Sequence, residues 1–156
     1  MPPKQGGPHG PAAPAQVFQV QSAFAFHTRF DGDTNPHVFF EDFERALDAQ
    51  GRSQDPDARK CALLAMALQA ESRAAMSLAE YKASLAGADQ TNDLTKQHLI
   101  NDCWTYHMKA SECDGVHKLE MKSDESPRAF MTRFAVALAK ANRARVALGM
   151  PQMSTT

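Results

Sequence analysis

The sequence predicts an all-α fold: a helical bundle of about five helices behind an extended N-terminal arm. Three observations predict it. Apolar residues recur at intervals of three and four in segment after segment, the spacing of one helical face. A cap residue stands directly before proline at Asn35-Pro36, Asp55-Pro56 and Ser126-Pro127, a pattern that starts helices. Strand-like alternation is confined to residues 16–26, where Phe18, Val20, Phe24 and Phe26 fall on one side of an extended chain.

Residues 1–15 hold five prolines, three glycines and a single charge. Such a segment has little apolar surface to bury, so residues 1–22 read as a flexible Pro/Gly-rich arm. The alternating stretch that follows has no partner strand, and it is expected to lie extended across a groove. Next comes Phe30-Asp31-Gly32-Asp33, a polar turn in which Gly32 and Asn35 suit conformations that most residues avoid. Asn35 caps a first helix over about 36–50, with Phe39, Phe43 and Leu47 on one face and Gly51 at its end. Asp55, Pro56 and Asp57 open a run without Pro or Gly as far as Leu85. A helix of that length is unusual in a small domain, so a break is expected between Gln69 and Ser72.

A further helix starts near Asn92 or Asp93. Ile100, Cys103, Trp104, His107 and Met108 would share its face, and Gly115 marks its end. After a short linker, Ser126 and Pro127 begin the last helix. Its stripe of Phe130, Phe134, Ala137, Leu138 and Ala141 is the cleanest in the chain, and Gly149 and Pro151 close it.

The net charge is −1, so the surface as a whole is no general trap for nucleic acid. The charge is uneven: +1 over residues 1–22, −5 over 23–113 and +3 over 114–156, so an acidic body and a basic tail can attract each other. No apolar run approaches the roughly 20 residues that span a bilayer, and no membrane partner is expected. The N-terminus lacks the apolar core of a signal peptide. Cys61, Cys103 and Cys113 have no disulfide spacing, which suits a reducing, cytoplasmic setting.

Reaction chemistry finds little support. There is no nucleophile elbow, no zincin motif, no P-loop and no dinucleotide fingerprint. Asp31, Asp33, Glu41, Asp42 and Glu44 crowd together, but a solvated helix start accounts for them. Cys103 and His107 are spaced to meet one metal, with Cys113 or His117 as a third ligand. The blander reading makes Cys103 and His107 members of a mostly apolar face, and it is preferred because no familiar zinc spacing occurs. No catalytic residue, metal or cofactor is therefore assigned, and no small-molecule substrate. Lys140, Arg143 and Arg145 make the end of the last helix basic; they suit a helix C-terminus, or they touch RNA weakly.

Several short motifs resemble a Ty3/gypsy-type retrotransposon Gag capsid domain, the family that includes the Arc-like capsids. They are Phe30-Asp31-Gly32-Asp33 with the Phe-rich helix after it, the aromatic Cys103-Trp104-Thr105-Tyr106, and Glu125-Ser126-Pro127-Arg128-Ala129-Phe130 with Arg133-Phe134. The likeness covers about residues 24–145. It departs from the family at Leu68-Gln69-Ala70-Glu71-Ser72, where Ala70 stands for the usual Gly, Ser72 for Ala, and no Trp follows. Neither a zinc knuckle nor a protease Asp-Ser/Thr-Gly is found. The resemblance implies a capsid N-lobe over 23–113, then a linker and the first helix of a partial C-lobe over 114–156.

The resemblance implies a structural protein whose partner is a copy of itself, in dimers or capsid-like particles, and not an enzyme. Phe130, Phe134, Leu138 and Ala141 are the candidate association residues. Their face must be buried, either in the chain or against a second one, since each large apolar side chain buried is worth about 1.5–3 kcal/mol. The alternative is a helical adaptor that binds an extended apolar peptide in a groove, with Phe18, Val20, Phe24 and Phe26 as a built-in occupant. RNA, if enclosed, would be held weakly by the basic end.

Overall fold

The computed structural model describes residues 24–154. The described chain is all-helical, with helices α1 Pro36–Ala49, α2 Asp57–Ala67, α3 Arg73–Ser84, α4 Asn92–Cys103, α5 Tyr106–His117 and α6 Pro127–Ala147. None of them is long and apolar enough to cross a membrane. The 1–22 arm with Phe18 and Val20 lies outside the described residues.

The helix starts follow local chemistry. Asn35, Ser72, Thr91, Thr105 and Ser126 each use a side-chain oxygen to accept a backbone N–H of the first turn. Pro36 and Pro127 occupy first-turn positions, where a missing N–H costs nothing. At α2 the expectation is off by one residue: Pro56 is itself the cap, and Asp55 instead pairs with Arg52 at 3.4 Å. The break expected between Gln69 and Ser72 is present, with Glu71 in the left-handed region at φ 57°.

One expected helix is two. The run from Asn92 breaks at Trp104, which is extended at φ −83°, ψ 91°, and Thr105 caps α5 anew. Among the described residues there are therefore six helices, where about five were expected. The face proposed for Ile100, Cys103, Trp104, His107 and Met108 does not exist as one stripe: Cys103 and Trp104 are buried, whereas His107 is exposed. Gly115 does not end the helix; α5 continues through it to His117.

The main core joins α1 to α4. Phe39, Phe40, Phe43 and Leu47 of α1 meet Leu64 and Ala67 of α2, Ala74 and Leu78 of α3, and Leu99, Ile100 and Cys103 of α4. Phe30 anchors the segment before α1: its N–H donates to Ala67 O at 3.0 Å, and its carbonyl accepts from Gln69 at 2.8 Å. Gly32 follows in the left-handed region at φ 93°. A Cβ there would sit 2.8 Å from the backbone nitrogen of Ala74, so the Phe-x-Gly-Asp turn needs glycine for both conformation and space.

Helices α5 and α6 form an antiparallel hairpin. Glu112 meets Arg143, Cys113 meets Ala141, and Val116 packs with Leu138, so one helix ascends as the other descends. The division expected at 113/114 thus falls inside α5. Ala144 on α6 and Met108 on α5 reach the main core, and Val116, Leu138 and Ala141 form a second, smaller one.

Candidate functional site

Two surfaces collect the residues singled out in the sequence. The first is the groove beside α1. Residues 24–29 run through it without regular secondary structure. Phe24 lies edge-on to Phe43 at 5.6 Å, and Phe26 meets Phe39 at 5.8 Å and Phe43 at 5.6 Å. Between them, Ala25 N–H donates to Gln50 Oε1 at 3.0 Å, and Gln50 Nε2 donates to Ala25 O at 3.0 Å. The Gln50 amide thus meets an extended backbone as a neighbouring strand would. A small cavity of about 50 Å³ remains beneath, lined by Phe24, Phe26, Arg29, Leu63, Met66 and Ala67. The alternating segment does lie across a groove, as far as residues 24–29 describe it.

The second surface is the outer side of α6. Leu138 and Ala141 do not face outward: both are buried within the chain, against Val116. This corrects their assignment as association residues, because α5 covers that part of the stripe. Phe130 and Phe134 are only partly buried, with ring centroids 6.3 Å apart and the Arg133 guanidinium over Phe130 at 5.6 Å. Met131, 59% exposed, extends this strip. Met131, Phe134, Ala135, Leu138, Ala139 and Asn142 border a shallow cleft of about 370 Å³. Another cleft of about 330 Å³ lies between α6 and α5, among Leu119, Val136, Ala137 and Lys140.

The three basic residues named for RNA contact do not make one patch. Arg143 turns toward the body, reaching Glu112 at 3.1 Å and Glu41 at 3.8 Å. Arg145 donates to the carbonyl of Pro151 and helps close the helix end. Lys140 borders the cleft between α5 and α6.

Other chemistry is subdued. Burial pushes the Cys103 thiol up to about 11 and raises Cys61 as well, so both stay protonated and weakly nucleophilic. Among the described residues no group of three or more His, Cys, Asp or Glu is arranged to hold a metal. The break at Trp104 separates Cys103 from His107, which removes the spacing that suggested one.

Sequence reasoning missed the seam between the hairpin and the body. Asn35 Nδ2 donates to Glu112 at 2.7 Å, Arg143 shares that carboxylate, and the Trp104 ring meets His37 edge-on at 4.4 Å. Lys109 Nζ and the Arg143 guanidinium lie over the Trp104 ring at 5.1 and 5.6 Å. No local signal pairs positions so far apart in the chain. Compared with known protein families, with curated proteins and with solved structures, the chain matches none of them.

Proposed function

We propose that this chain is a Gag-like capsid structural protein whose activity is association with copies of itself. The observation that carries the reading is the outer side of α6, where Phe130, Met131 and Phe134 leave apolar surface beside an open cleft. A continuous apolar strip of this kind marks an association surface. Helix α6 carries Arg128, Arg133, Lys140, Arg143 and Arg145 and no carboxylate, so a neighbour's acidic body suits it better than a second α6. A contact between unlike surfaces propagates into rings or open arrays. The Phe-x-Gly-Asp turn and the Ser126-Pro127 helix start, which carry the resemblance to gypsy-type Gag capsids, support the same reading. RNA contact is not part of it, because Arg143 and Arg145 are engaged within the chain. Three unpaired thiols suit a reducing cytoplasm. Light scattering over a concentration series tests the reading: mass should rise with concentration, and a constant monomer mass rejects it.

A second reading is favoured by one specific observation, the Gln50 clamp on Ala25 between two partly buried phenylalanines. It makes the groove beside α1 a receptor for an extended Phe-x-Phe peptide, filled here by the chain's own residues 24–26. Titrating a labelled Phe-Ala-Phe peptide into protein lacking residues 1–26 tests it. Saturable binding that the full chain lacks is the expected result, and equal binding by both would reject it.

A further inference from the structure

A cleft of about 610 Å³ opens where the α5–α6 hairpin meets the body. His37, Gln97, Ile100, Asn101, Trp104, Lys109, Arg143, Val146 and Ala147 line it. Four helices contribute: α1, α4, α5 and α6. Its size is that of a small-molecule pocket.

Its charged lining is wholly cationic, Lys109 and Arg143, and no acidic residue lines it. The Lys109 ammonium makes no ion pair or hydrogen bond among the described residues; it rests over the Trp104 ring. Trp104 Nε1 and Arg143 Nε are buried N–H donors with no acceptor. His37 Nε2 and Glu112 Oε2 are buried and unpaired as well, so the accessible group that calls for an anion is the Lys109 ammonium. Glu41 of the body and Glu112 of α5 hold the Arg143 guanidinium, so the unshared cation at the cleft is Lys109. His37 adds no charge: burial, with Arg143 and Lys96 nearby, holds its imidazole down to about 4. Ile100, Val146, Ala147 and the Trp104 ring make an apolar wall, and the Gln97 and Asn101 amides a neutral polar one.

We propose that this cleft binds a small amphipathic anion, its carboxylate or phosphate on Lys109 and its apolar body against Trp104, Ile100 and Val146. The two charged heads share the chemistry that the Lys109 ammonium binds, and the apolar wall gives the rest of the ligand its place. This inference is independent of self-association.

Trp104 is the only tryptophan of the chain, so its emission reports occupancy directly. The experiment titrates the full chain with phenyl phosphate, 3-phenylpropionate and inorganic phosphate. A saturable change in Trp104 emission, with half-saturation below about 10 mM, is expected from at least one phenyl compound. Which of them binds more tightly assigns the head group. Lys109→Gln should weaken that binding about fivefold, the loss expected for one charge-assisted contact at a half-exposed site. Val146→Ser should weaken it about threefold while leaving the far-UV spectrum unchanged. Three results would overturn the proposal: no saturable change with either phenyl compound, wild-type binding by Lys109→Gln, or inorganic phosphate binding as tightly as phenyl phosphate.

Discussion

Gln50 holds both backbone groups of Ala25, accepting from its N–H and donating to its carbonyl, each at 3.0 Å. A single side chain thereby fixes the extended segment that carries Phe24 and Phe26 onto α1. Gln50→Ala should free that segment while sparing the helices. The lost pair is exposed, so the expected cost is about 1 kcal/mol in global stability. Hydrogen exchange at the Ala25 amide should rise by a factor of ten or so, with exchange inside α4 unchanged. Unchanged exchange at Ala25 would show that the phenylalanines alone hold the segment.

Gly32 is the second point of control. Gly32→Ala forces a side chain into the left-handed region and against the Ala74 nitrogen, 2.8 Å away. Neither neighbour yields easily, because Ala74 N–H donates to Asp31 O at 3.0 Å and begins the buried edge of α3. The expected loss is about 2–3 kcal/mol, measured by urea denaturation. Gly51→Ala is the comparison: its φ is also positive, at 67°, but nothing lies within 4 Å. It should cost about 1 kcal/mol, from backbone strain alone.

His37 makes stability depend on pH. Burial, Arg143 and Lys96 lower its pKa from 6.5 to about 4. The unfolded chain therefore binds a proton that the folded chain refuses between those values. The stabilisation is fully present above pH 6.5 and is lost as pH falls toward about 4. Denaturation of wild type and His37→Gln at pH 4, 5, 6 and 7 checks it: the difference between the two should change over this window. Glu125, held down to about 2 by the hydrogen-bonded Arg133, loses its contribution as pH falls below about 4.5, equally in both proteins, and cancels from the difference.

Most of the fold was legible because its punctuation is local. Asn35-Pro36 and Ser126-Pro127 mark helix starts by chemistry that acts within one turn, and the break near Ser72 followed from length alone. The break at Trp104 was missed because apolar spacing runs smoothly through Cys103, Trp104, His107 and Met108. Thr105 was the available signal, a capping residue in the middle of the run. The site was less legible. Phe24 and Phe26, the described half of the alternating segment, pack on Phe39 and Phe43 of α1; alternation in an extended segment can be seen without knowledge of its partner. Leu138 and Ala141 stood as association candidates because a stripe shows that burial is needed and not what provides it; the provider is Val116, more than twenty residues earlier. The Trp104 cleft, built from four helices, left no trace in any one of them.

The central claim is that copies of the chain meet through the outer side of α6. Sedimentation velocity of wild type beside Met131→Asp tests it most directly, since Met131 is 59% exposed and its loss leaves the core untouched. The wild type should shift to larger species with rising concentration, and Met131→Asp should stay monomeric over a range at least about tenfold wider. A wild type that sediments as a monomer throughout, or a variant that assembles like the wild type, would contradict the account.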